Sequence, residues 1–87
     1  MAHLEISDLI LVLMEPPGPS LFDQRFMEML RRSKIKTPVI FIVNKIDGPD
    51  VANAKLIPFY EEGFTDLLPI SAKNKWNMDV LKEKIQN

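Results

Sequence analysis

Val39-Ile40-Phe41-Ile42-Val43 is the stretch that most limits what this chain can fold into. Five consecutive β-branched or aromatic residues leave no polar face, so a strand built from them must be covered on both sides. Helical layers above and below a parallel sheet provide that cover. The run stops at Asn44-Lys45-Ile46-Asp47, which sets polar side chains at the strand's carboxyl end. In open α/β sheets ligands are held beyond those carboxyl ends.

The rest of the chain fits such a sheet. Asp8–Met14 is almost continuously apolar and reads as a second strand buried on both faces. Pro16-Pro17-Gly18-Pro19 ends it, because proline lacks the ladder donor and fixes φ. Ser20 and Asp23 have the spacing of a capping box, so a helix is expected from there, with Phe22, Phe26, Met29 and Leu30 facing the sheet. Arg31 and Arg32 fall in its last turn, where cations complement the helix dipole. After Gly48-Pro49 a second helix begins near Asp50, and Pro58 predicts a kink or a division into two short segments. Gly63 suits the left-handed position that closes this helix. Asp66 to Ile70 is a third strand, and Pro69 within it argues for an edge. Asn77 or Asn74 caps a last helix carrying Met78, Leu81 and Ile85 on one face. Leu4 to Ser7 reads as the tail of a helix or a disordered lead-in.

The order β-α-β-α-β-α with short loops implies an α/β fold: a three-stranded parallel sheet with helices on both faces. The first two helices share one face and the last covers the other. On this reading the outer edge of Asp8–Met14 has no neighbour, and such an edge invites self-association or pairing with another segment.

Composition removes several classes of function. At 87 residues the chain is one small domain or part of one. A net charge of −1 gives no electrostatic footprint for nucleic acid or anionic membrane. The absence of cysteine excludes disulfides and thiolate metal sites, and fits a reducing cytoplasm. Leu9 to Met14, the longest apolar run, is far too short to span a bilayer. A lone histidine, His3, has no partner ligands nearby, so no metal site is expected. Asp23, Glu28, Glu61 and Glu62 fall on expected helix surfaces and do not suggest acid–base catalysis; no catalytic residue is expected. Arg31, Arg32, Lys34 and Lys36 read as a solvated helix end, without the interleaved aromatics that stack on nucleic acid.

The tetrapeptide itself suits guanine. A carboxylate at Asp47 can accept parallel hydrogen bonds from the ring N1–H and the exocyclic amine. Adenine offers an acceptor at N1 and no amine at C2, which would leave a buried carboxylate unpaired at a cost on the order of 2–3 kcal/mol. Asn44 can bond the other edge of the base, and the Lys45 stem can lie along its face.

Asn44-Lys45-Ile46-Asp47 resembles the NKxD motif of small GTP-binding proteins, and Ser71-Ala72-Lys73 resembles their SAK motif. Phe59-Tyr60-Glu61-Glu62-Gly63-Phe64 and Leu68-Pro69-Ile70-Ser71 are similar to the same stretch in the Era/EngA (Der) family of bacterial ribosome-associated GTPases. The resemblance runs from Ser7 to Ile85 but covers only the carboxyl-terminal half of that family's P-loop GTPase domain. It implies that the Ala72 N–H meets the guanine O6, that Ser71 braces the loop and that Lys73 packs near the base. Trp76 reads either as a shield over the ligand or as a plug between helix and loop. Gly18, Gly48 and Gly63 are the only glycines, and none opens the GxxxxGK[ST] loop that cradles phosphates. The expected role is therefore recognition of GTP or GDP through the base alone, with no hydrolysis by these residues on their own. The expected partner is the amino-terminal half of a GTPase domain. The alternative is a non-enzymatic interaction module that pairs through Asp8–Met14.

Overall fold

The computed structural model describes the backbone of residues 2–6 and the whole of residues 9–33 and 36–86. Its elements are β1 (Ala2–Ile6), β2 (Leu9–Met14), α1 (Leu21–Arg32), β3 (Val39–Val43), α2 (Pro49–Glu61), β4 (Leu67–Pro69) and α3 (Met78–Gln86). They form one four-stranded sheet in the order β1-β2-β3-β4. The parallel trio is the expected one: Val12 stands opposite Phe41, and Phe41 opposite Leu67. As Pro69 implied, β4 lies at an edge.

The other edge corrects the sequence reading. Ala2–Ile6 is neither a helix tail nor an unstructured lead-in; it pairs antiparallel with β2, from Ala2 opposite Leu13 to Ile6 opposite Leu9. The outer ladder of β2 is therefore occupied, and self-association through Asp8–Met14 has no unpaired strand to use. Asp8, taken as the first residue of that strand, lies outside the described residues, as do Ser7, Lys34 and the side chain of His3.

Alternation along the strands divides the core between two faces. Ile10, Val12, Met14 and Val43 meet Met27 of α1 and Ala52, Leu56 and Phe59 of α2 on one side. Leu11, Ile42, Leu68 and Ile70 meet Met78, Val80 and Leu81 of α3 on the other. Helices thus cover both faces, with the first two on the same side.

Within the helices three expectations change. On α1 the covered residues are Asp23 and Met27, with Phe26 and Leu30 half-buried, whereas Phe22 is 72% exposed and Met29 48% exposed. Asp23, expected on the surface, is turned inward because it closes the capping box: its Oδ2 accepts the Ser20 N–H at 2.8 Å while its own N–H donates to Ser20 Oγ at 3.1 Å. α2 is one continuous helix despite Pro58. The proline sits in the final turn, where one forfeited bond is offset by burial of the adjacent Leu56 and Phe59. Asn77 precedes α3, but its backbone is left-handed (φ 63°) and its Nδ2 donates to the Pro69 carbonyl at 3.0 Å instead of capping the helix.

The end of α2 follows the glycine rule. Gly63 has φ 92°; its N–H donates to the Tyr60 carbonyl and that of Phe64 to the Phe59 carbonyl, the two bonds of a Schellman close. Phe59 and Phe64 then meet edge to face, with ring centroids 6.5 Å apart, and Phe64 meets Phe41 in the same way at 5.4 Å.

Candidate ligand cleft at the carboxyl ends of β3 and β4

Past the ends of β3 and β4 the ladder continues into the loops. The Asn44 N–H donates to the Met14 carbonyl, Ile70 N–H to Val43 and Ile46 N–H to Ile70, each near 3 Å. The side chain of Ile46 is fully buried in the core. That anchor turns its neighbours Lys45 and Asp47 outward, and Lys45 accommodates the turn with φ 66°. A single apolar residue inside a polar tetrapeptide thus fixes the direction of the two charges beside it.

Side chains then tie the two loops together. Asn44 Oδ1 accepts the Ala72 N–H at 3.0 Å. Ser71 is 1% exposed, and its Oγ accepts the Asn74 N–H at 3.1 Å, which closes the turn. Asn74 Nδ2 reaches Asp47 Oδ1 at 3.4 Å. The Lys45 ammonium is drawn to Glu15, beyond β2, at 3.0 Å; both side chains are more than half exposed, so the pair contributes little to stability.

These contacts frame a cleft of about 540 Å³, lined by Asn44, Lys45, Asp47, Ser71, Lys73, Lys55 and Pro16. This is ample for a purine, since pockets for small molecules run from roughly 300 to 1,000 Å³. Five of the six residues singled out in the sequence line it. Ala72 does not, although its N–H is the one that Asn44 holds. Trp76 packs against the core and its carbonyl accepts the Ser71 N–H at 3.1 Å, so it closes the gap between loop and helix. Three residues were missed. Lys55 arrives from α2 and Pro16 from the loop after β2, and no spacing along the chain links either to the tetrapeptide. Asn74 had been weighed only as a helix cap. The cleft offers a carboxylate, an amide and the ammoniums of Lys55 and Lys73, which form no ion pair among the described residues, a donor and acceptor set suited to holding a polar planar ligand. Among the described residues no group of three or more His, Cys, Asp or Glu could hold a metal ion. No helix of the described residues is long and apolar enough to cross a membrane.

No family model matches the chain, and no solved structure matches it. Curated proteins do. GTPase Der of Kosmotoga olearia is 37% identical over 87 residues, covering 98% of this chain. GTPase Era of Thermoanaerobacter sp. is 42% identical over 84 residues and 90% of the chain, and GTPase Der of Geobacter metallireducens 37% over 83 residues and 94%. The chain spans 19%, 26% and 18% of the length of these three relatives. By this kinship the chain is a homologue of one segment of the Der and Era GTPases.

Proposed function

We propose that the cleft recognises the guanine base of GTP or GDP, with Asp47 accepting from N1–H and the exocyclic amine, Asn44 on the opposite edge, and Lys45 and Lys73 along the ring. The observation that carries this reading is the bond from the Ala72 N–H to Asn44 Oδ1, which puts the loops after β3 and β4 around one purine-sized space. Ser71 supports the turn, and the Ala72 N–H exchanges its bond to Asn44 Oδ1 for one to the guanine O6 when the base enters. The relatives' names, GTPase Der and GTPase Era, favour a guanine nucleotide.

The chain's part is base recognition in the cytoplasm, alongside phosphate chemistry supplied by other residues of a GTPase domain. Ribosome association belongs to the same proposal. Residues 1–87 carry no phosphate loop, so on their own they bind weakly and do not hydrolyse GTP.

Asp47 is exposed, so its discrimination against adenine is set nearer about 1 kcal/mol than the larger cost of a buried orphan charge. Titration of guanosine, adenosine and xanthosine, read by thermal shift and Trp76 fluorescence, tests the assignment. Guanosine should outbind adenosine by about fivefold to tenfold. Asp47→Asn should shift preference to xanthosine, whose C2 carbonyl pairs with the new amide NH₂. Equal responses to guanosine and adenosine, or an unchanged order in the variant, would overturn the reading.

A further inference from the structure

Asp47 is exposed, and its carboxylate has one hydrogen-bond partner among the described residues: Asn74 Nδ2 donates to Oδ1 at 3.4 Å. Three lysines line the same cleft, but none pairs with it. Lys45 reaches Glu15 instead, and Lys55 and Lys73 form no ion pair among the described residues. A neutral amide, not a cation, thus holds one of the two oxygens. Asn74 is itself fixed from behind. Its backbone N–H donates to Ser71 Oγ at 3.1 Å, and Ser71 is 1% exposed with its own N–H on the Trp76 carbonyl. The side chain that touches Asp47 therefore projects from a turn closed on a buried residue.

Each carboxylate oxygen offers two lone pairs, so the bond from Asn74 leaves one free on Oδ1 and both on Oδ2. That is the set a base needs if it presents two parallel donors, one to each oxygen. A two-pronged contact requires a fixed carboxyl plane. The terminal torsion of aspartate is broad, and rotation about it breaks one prong while the other is kept. A single N–H makes no such demand, because either oxygen can turn to meet it. Holding the plane before the ligand arrives removes an ordering cost that falls mainly on the two-pronged contact. We propose that Asn74 is the positioning residue that sets the Asp47 carboxyl plane. It thereby selects purines with a C2 amine beside the N1–H over hypoxanthine, which has the N1–H and only hydrogen at C2. The assignment rests on the guanine reading and adds to it a determinant against inosine.

Heteronuclear NMR titrations of the 87-residue chain with guanosine, inosine and adenosine test it. The wild-type chain should bind guanosine about fivefold to tenfold more tightly than inosine. Asn74→Ala removes the Nδ2 donor but keeps the backbone N–H on Ser71 Oγ, so the turn and the melting temperature should change little. In that variant guanosine should weaken about fivefold and inosine less than about twofold, which brings the two together. A merely structural loss would weaken both nucleosides alike. An unchanged guanosine-to-inosine ratio in folded Asn74→Ala would therefore overturn the proposal. Should the variant fail to fold, the wild-type Asn74 side-chain NH₂ signals decide: guanosine should shift them and inosine should move them little, and signals that guanosine leaves unmoved count against the assignment. Adenosine separates this inference from the reading beneath it. If guanosine fails to outbind adenosine in the wild type, the guanine assignment falls and this one with it. If guanosine outbinds adenosine while the ratio to inosine survives in the variant, only the role of Asn74 is lost.

Discussion

Asn44 carries more of the structure than its size suggests. Its N–H extends the β2–β3 ladder, and its side chain draws in the loop after β4. Asn44→Ala should keep the first contact and lose the second. The bond lies near solvent, so the loss is expected at about 0.5–1 kcal/mol, a fall in melting temperature of about 2–8 °C for a domain this small. Guanosine binding should fall further than stability does, because the freed Ala72 loop no longer faces Asp47. Denaturation followed by circular dichroism, paired with the guanosine titration, checks both halves. The polar residues of this corner were legible because a strand of pure β-formers stops abruptly at them. Lys55 and Pro16 were not, since tertiary packing alone brings them to the cleft.

At the level of elements, the end of α2 gives the sharpest test. Gly63 is left-handed, and an added Cβ would meet the Arg31 guanidinium, whose Nη2 donates to the Gly63 carbonyl at 3.3 Å. The arginine head is flexible and can move aside, so the backbone sets most of the cost. Gly63→Ala is expected to destabilise by about 1–2 kcal/mol, measured as a lower urea midpoint at unchanged slope. The helices and parallel strands could be read from caps, prolines and periodicity. Two features escaped for physical reasons. β1 was overlooked although Ala2-His3-Leu4-Glu5-Ile6 alternates apolar and polar residues, the period of a half-buried strand. The covered face of α1 was misplaced because Phe22, Phe26, Met29 and Leu30 recur at helical spacing, whereas the capping box turns Asp23 inward and the covered stripe runs through Asp23, Phe26, Met27 and Leu30.

For the molecule as a whole, a chain of 87 residues has little stability to spare, on the order of 4–13 kcal/mol. Phe59 is fully buried, touches the Phe64 ring and belongs to the larger core cluster. Phe59→Ala should remove about 3–5 kcal/mol. The expected outcome is a broad, weakly cooperative melt by calorimetry, together with loss of the guanosine response. A sharp transition near that of the wild type would show that the two helices on this face are held by something other than their aromatic core. The antiparallel strand at the edge of the sheet has one more consequence. Ala2–Ile6 occupies the outer ladder of β2, so a strand supplied from elsewhere can pair with β2 on that side only by displacing it.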